Sequence, residues 1–205
     1  LHLTTRRQRQ MCIRDRSDRD KTIEQITHLL YCNCKRVYNC AGNDVYEGDI
    51  SVYRNDWTLP LEAREHLLEE LHESHFPVRT GTHIEERPGC VNFSIVGRGA
   101  NQTERLVYSD WDEIKGERRA IAERFNKKFP ELHAFVGGVT GVDISDKGSD
   151  KSQIIRDFQD GGVVFYGDRM EEQGNDKPLA DAILNNKLGE VVSVTGWKDT
   201  WNKLR

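Results

Sequence analysis

Val163-Val164-Phe165-Tyr166-Gly167-Asp168 is a continuous apolar run that ends on a glycine and a carboxylate. A strand covered on both faces has no polar side to alternate with, so an unbroken run of this length points to a parallel sheet flanked by helices. Open α/β sheets place their sites beyond the carboxyl ends of such strands, which is where this run delivers Asp168. Gly174-Asn175-Asp176 follows within one loop. Mg²⁺ prefers one or two carboxylates with water and a substrate phosphate, so Asp168, Asn175 and Asp176 form a candidate hard-cation site. The same residues also read as a plain turn after a strand, and a short motif alone does not separate the two.

The pattern around this strand alternates. Ser152 to Phe158 begins a helix ahead of it, and a helix from about Lys177 to Asn186, a strand Glu190–Thr195 and a helix Trp197–Leu204 follow. Such alternation implies βα units around a parallel sheet. Lys151, just before the first of these helices, can act as a point charge for phosphate, although a lone lysine also reads as a solvated side chain.

Upstream of the polar linker Ser145–Asp150 the character differs. Leu59-Pro60 opens a helix to about His75, with Leu61, Leu67, Leu68 and Leu71 on its buried side. Thr80–Glu86 and Cys90–Val96 are joined by Arg87-Pro88-Gly89, a hairpin signal. A helix from about Asp112 to Phe129 and two strands, Leu132–Val139 and Val142–Ser145, complete an antiparallel sheet covered by helices. Before this module lie a helix over Asp20–Leu30 and a turn-rich stretch, Val37–Tyr53. The expected architecture is α/β, with an α+β module inserted into a parallel-sheet core. Its boundaries are 17–56 and 148–205 for the core and 57–147 for the insert.

Composition narrows the class. The chain has 205 residues, 36% hydrophobic and 31% charged. No apolar run approaches the ~18–20 residues that span a bilayer, and no secretory signal is apparent. Five cysteines at irregular spacing do not make a disulfide framework, so a reducing, cytoplasmic setting is expected. Residues 1–16 contain five arginines and one aspartate, while Ser17–Arg205 carries 25 basic and 33 acidic residues. Arg6-Arg7-Gln8-Arg9-Gln10 could be a nucleic-acid arm. However, Arg6–Asp15 is also the translation of a common transposon-type sequencing adapter, and Leu1-His2 matches the adapter's upstream end. Residues 1–16 are therefore expected to be non-native and are set aside from the fold reading, with no nucleic acid as partner.

Arg87, Arg98 and Arg105 lie near one end of the hairpin sheet. Guanidinium forks can hold a phosphate in bidentate fashion, while the alternative is that these arginines balance Glu85, Glu86 and Glu104. His28, Cys32, Cys34 and Cys40 lack the paired short loops of strong zinc motifs and read as reduced structural residues. His72 and His75 are three apart rather than four and read as solvent-facing. Asp110-Trp111-Asp112 precedes a helix and reads as a cap.

Together these segments resemble the eukaryotic-type phosphomannomutase family of the haloacid dehalogenase superfamily. The resemblance runs through Gly81–Arg87, Val91–Arg98, Thr103–Arg105, Gly137-Gly138 to Val142-Asp143, Ser149–Lys151, Phe165–Asp168 and Gly174–Asp176. It implies a haloacid dehalogenase core, here incomplete, with the 57–147 module as its cap. It also implies that Arg87, Arg98, Arg105, Gly141 and Asp143 line the sugar-phosphate site. Lys151 would hold the transferring phosphoryl group, Asp168, Asn175 and Asp176 would bind Mg²⁺, and Ser17-Asp18 would be the remnant of a second phosphate-binding motif. The chain departs from the family at Gly141, where a serine is usual, and at Ser149, which replaces a tryptophan. The Asp-x-Asp-Gly-Thr strand that holds the nucleophile and the acid/base is expected upstream of Ser17, which leaves this chain inactive alone.

The implied activity is interconversion of mannose 1-phosphate and mannose 6-phosphate, feeding GDP-mannose biosynthesis, through an aspartyl-phosphate and a bisphosphate. A cap-mediated homodimer is also implied. The competing readings are a sugar phosphatase on the same scaffold and a non-catalytic sugar-phosphate binder. The family assignment expects Lys151 and Asp168 to line a phosphate pocket that faces Arg87, Arg98 and Arg105 across a hinged cleft.

Overall fold

The structure, a computed structural model, describes residues 11–13, 19–26, 28–158, 160–172 and 174–204. It divides into two units, Leu1–Arg54 with Gly148–Arg205 (the core unit) and Asn55–Lys147 (the cap unit). Among the described residues no helix is long and apolar enough to cross a membrane. Ser17 and Asp18 lie outside the described residues.

The cap unit is built on one antiparallel sheet in the order β5-β6-β8-β7 (Ile84–Arg87, Cys90–Ser94, Gly141–Asp146 and Leu132–Gly137). Its register explains its two faces, because side chains alternate across a strand with period two. Asn92 stands opposite Glu85 and Asp143, and Ser94 opposite Gly141, so these residues share a polar face with Arg87. Val91, Phe93, Val142, Ile144 and Ala134 occupy the other face. They are buried with Leu67, Tyr108, Ile121 and Phe125 from three helices, α3 (Leu61–Glu73), α4 (Gln102–Lys115) and α5 (Glu117–Lys128). Each large side chain buried there contributes roughly 1.5–3 kcal/mol of transfer free energy.

Two details differ from the sequence reading. The stretch expected to form one helix from Asp112 forms two. Asn101 and Glu104 make a reciprocal capping box, with the Glu104 N–H donating to Asn101 Oδ1 at 2.9 Å and the Asn101 N–H to Glu104 Oε2 at 2.8 Å. That box starts α4 ten residues early. Gly116, at φ 66°, then ends it in the left-handed region, as a glycine does without steric cost. Asp112 lies inside α4, but its carboxylate accepts the Arg118 N–H at 2.8 Å and so caps α5. In α3 the buried residues are Ala63, Leu67 and Glu70, while Leu61 and Leu68 face outward. Glu70 is tolerated inside because Arg124 reaches it from α5, with Nε 2.8 Å from Oε1.

The core unit holds two sheets. One has the order β1-β2-β3-β4 (Met11–Ile13, Arg36–Asn39, Asp44–Glu47 and Ile50–Arg54) and the other pairs β9 (Val163–Gly167) with β10 (Gly189–Ser193). The β9/β10 pair is parallel, as the apolar run predicts, and β1 also runs parallel to β2. Helices α1 (Arg19–Ile26) and α2 (His28–Asn33) precede β2, and α6 (Lys177–Asn185) and α7 (Trp197–Lys203) flank β10. Tyr38, Val45, Ile154, Phe165, Leu179, Ala180 and Ile183 pack together and join the two sheets. Thr22 Oγ1 donates to Asn39 Oδ1 at 2.8 Å and ties α1 to β2.

Candidate active site

In the core unit, β9 ends by placing Asp168 in solvent. The loop after it folds back so that Asp176, buried, serves three donors. Its Oδ2 accepts the backbone N–H of Asp168 at 3.0 Å and of Arg169 at 3.1 Å. Its Oδ1 accepts Lys151 Nζ at 2.6 Å. A carboxylate offers about four lone-pair positions, so Asp176 has three of them engaged.

Lys151 opens a 3₁₀ helix, Lys151–Asp157, where the sequence pattern suggested an α-helix from Ser152. Asp150 caps it, accepting the Ser152 N–H at 2.7 Å. The solvated-lysine alternative does not hold, since only 9% of the Lys151 side chain is exposed. The structure thus brings Lys151, Asp168 and Asp176 into one cluster, with Asn175 adjacent in the chain. The set fits a hard divalent cation: Asp168 offers an exposed oxygen donor, and the fixed loop orders the groups beside it.

In the cap unit, the polar face of the sheet gathers the arginines. Arg87 leaves the end of β5 and binds Glu85 Oε2, and Arg98 Nε reaches the same oxygen at 3.0 Å. Arg105, near the start of α4, donates from Nε to the Ala100 carbonyl at 2.9 Å and from Nη2 to the Arg98 carbonyl at 2.9 Å. Its Nη1 lies 3.4 Å from Thr140 Oγ1. Gly97 makes the approach to Arg98 possible. It sits at φ 79°, and a Cβ there would stand 2.0 Å from the Thr80 carbonyl oxygen. Burial alone would lower the pKa of the Arg87 guanidinium. The hydrogen bond to Glu85 and the charges of Glu85 and Asp143 outweigh burial and raise it above its ordinary value.

Asp143, on β8, is buried and accepts Asn92 Nδ2 at 2.6 Å. Gly141 lies two residues earlier on the same face, and a Cβ there would meet Asn92 Nδ2 at 2.4 Å. The missing side chain is what lets Asn92 reach Asp143. Of the acids weighed as simple counter-charges, only Glu85 serves Arg87 and Arg98. Glu86 pairs with Arg64, and Glu104 caps α4. The sequence reading missed Glu85 and Asn92 as site residues. The alternation of β5 and β6 could have placed both on the arginine face.

His72 and His75 are exposed, as read from sequence. None of Cys32, Cys34, Cys40 and Cys90 is in a disulfide.

Known proteins place this architecture. The eukaryotic phosphomannomutase family matches over residues 4–205. A phosphomannomutase of Encephalitozoon cuniculi (strain GB-M1) is 27% identical over 179 residues, covering 77% of this chain and 67% of that protein. One from Arabidopsis thaliana is 32% identical over 111 residues, covering 52% of this chain and 44% of that protein. The match thus spans less than half the length of the Arabidopsis relative.

Among solved structures, the N-terminally truncated IMP-nucleotidase of Plasmodium falciparum has a TM-score of 0.55 at 13% identity, covering 95% of this chain and 59% of that one. The C-terminal domain of a Candida albicans trehalose synthase regulatory protein has a TM-score of 0.50 at 12% identity, over 89% and 82%. These likenesses concern the fold alone, an α/β unit whose chain is interrupted by an α+β unit. By its sequence match, the chain belongs to the eukaryotic phosphomannomutase family.

Proposed function

We propose that this chain is the larger part of a hexose phosphomutase that interconverts mannose 1-phosphate and mannose 6-phosphate through an aspartyl-phosphate and a hexose bisphosphate. The observation that carries this reading is the gathering of three arginines in the cap unit, with Arg87 and Arg98 on Glu85 and Arg105 on the Arg98 carbonyl. A phosphatase needs one phosphate site. A mutase must hold a bisphosphate by both ends, in either orientation, and so needs two. The cap arginines are a second cationic group, in addition to Lys151 in the core unit.

In this mechanism the arginine forks take the phosphate that is not reacting, with bidentate geometry that also sets its orientation. Asp143, already fixed by Asn92, accepts from a sugar hydroxyl beside Gly141. Lys151, fixed by Asp176, presents its ammonium to the transferring phosphoryl group. Ser17, by family resemblance, adds a hydroxyl to the same group. Mg²⁺ would be held through Asp168 with Asn175 and Asp176 alongside, and when bound it supplies charge compensation between an anionic nucleophile and the phosphate. The nucleophile and the acid/base aspartate are assigned to a strand encoded upstream of Ser17, with residues 1–16 as adapter-derived sequence. The proposed setting is the cytoplasm. The exposed side chains of Leu106, Val107 and Ile114 on α4 support a homodimer formed through the cap.

The test feeds mannose 1-phosphate, with a bisphosphate activator and Mg²⁺, to the chain extended by its native upstream coding sequence. Mannose 6-phosphate is the expected product. Free mannose without the isomer would instead establish the phosphatase. The 205-residue chain alone is expected to show negligible turnover, and robust Mg²⁺-dependent activity from it would overturn the assignment of the nucleophile.

A further inference from the structure

Away from that site, a second group of side chains has metal-binding chemistry. His28 and Cys32 stand one helical turn apart on α2, and Asp49 comes from the turn between β3 and β4. His28 Nε2 lies 3.5 Å from Cys32 Sγ and 3.2 Å from Asp49 Oδ1. One donor atom from each residue lies within 4.8 Å of the others, and all three residues are exposed.

A tetrahedral ion with zinc-type bonds of about 2.0–2.3 Å sets donor–donor edges of about 3.3–3.6 Å. The two edges that meet at His28 therefore already have nearly the right length. The third, from Cys32 to Asp49, closes by rotation of exposed side chains. The sequence grouping of His28 and Cys32 with Cys34 and Cys40 failed as a zinc motif for a simple reason. Cys40 is buried beyond β2, and the third donor is a carboxylate 17 residues after Cys32.

We propose that His28, Cys32 and Asp49 bind one Zn²⁺ ion, with the fourth position open to water or an external ligand. The donor set selects the ion. A thiolate and an imidazole suit a borderline-soft metal, whereas Mg²⁺ and Ca²⁺ take oxygen shells. On binding, the Cys32 thiol gives its proton to solvent and a zinc–sulfur bond forms. The thiolate and carboxylate then balance the two charges of the ion. Arg19 opposes this, because its guanidinium holds the same Asp49 oxygen that faces His28. It also lies over the rings of Tyr31 and Tyr46, at 5.6 and 5.3 Å from their centroids, which keeps its charge near the site after it yields that oxygen.

The experiment titrates the full 205-residue chain with Zn²⁺ alone by calorimetry and with Co²⁺ by absorption. One equivalent should bind, and the Co²⁺ form should show a thiolate charge-transfer band that Cys32→Ser abolishes. Zn²⁺ affinity should fall at least about tenfold in His28→Ala and in Asp49→Asn. Cys34→Ser should leave both signals unchanged, and Arg19→Gln should bind several-fold tighter. Absence of stoichiometric binding, or wild-type binding by Cys32→Ser, would overturn the site. So would an equal loss in Cys34→Ser. If a substituted chain misfolds, alkylation in the unsubstituted chain decides: Zn²⁺ should slow iodoacetamide modification of Cys32 about tenfold, and no slowing ends the proposal.

Discussion

The cap and core units divide their labour differently. In the cap, one face of a four-stranded sheet is apolar and covered by α3, α4 and α5, and the other carries Glu85, Arg87, Asn92 and Asp143. The residues that stabilise the cap and those proposed to bind substrate are on opposite sides of the same strands. In the core unit the apolar cluster is smaller, built around Tyr38, Phe165, Leu179 and Ile183, and the candidate phosphate group Lys151 is itself buried in an ion pair. There, the side chain suited to the chemistry also holds the fold together. Function and stability should therefore separate at Arg98, which is about one-third exposed, and poorly at Arg87 and Lys151, each buried in an ion pair.

The largest effect probes the cap's apolar face. Phe125 is fully buried, whereas Phe165, the core unit's aromatic on β9, keeps 9% of its surface exposed. Phe125→Ala is expected to cost about 3–5 kcal/mol in denaturant unfolding, and Phe165→Ala less. The reverse order would show the core cluster to be the stronger of the two. Lys151→Met, next in size, strands the buried Asp176 carboxylate and should cost about 3 kcal/mol as well as phosphate binding. A variant that lost binding at unchanged stability would break the contrast between the units.

A pH scan reaches both units at once. Burial pushes the Tyr38 phenol up to about 12 from its ordinary value of 10, and burial with the nearby charges of Glu117 and Asp112 raises Tyr108 as well. Both keep their proton longer when folded than when unfolded. The stability they contribute is complete below pH 10 and is lost as pH rises toward and through their folded values. For Tyr38 that loss is about 2–3 kcal/mol between roughly pH 10 and 12. Tyr38→Phe should flatten the alkaline limb of a stability profile, and an unchanged limb would exclude the phenol as its source. The smallest stability effect is expected at Arg98, whose side chain is about one-third exposed. Arg98→Ala should change stability by less than about 1 kcal/mol. Sugar-phosphate binding by the same variant should weaken by about tenfold or more, and a loss of fold instead would show that Arg98, like Lys151, couples binding to stability.

What could be read from sequence follows the range of the interactions. The strand ending at Asp168, the hairpin through Pro88-Gly89 and the helix beginning at Lys177 are specified by neighbours a few residues away. They form close to where the pattern puts them. The early start of α4 was also locally encoded, in Asn101 and Glu104, but the polar composition of that first turn masked it. The inward turn of Glu70 was not legible, because its partner Arg124 lies on another helix. The same holds at the site. Three arginines could be picked out as a group, yet the acceptor that Arg87 and Arg98 share, Glu85, becomes visible only once β5 and β6 are in register. Lys151 looked like a surface residue because the acid that draws it inside is 25 positions away.

Asp176 works as a knot. Through one side chain it fastens the end of a strand, the loop that returns from it and a helix begun by Lys151. Pieces tied in this way cannot drift independently. A substitution at Asp176 would loosen all three together, and asparagine, which brings an amide where the ammonium now sits, would exchange an attraction for a clash of donors.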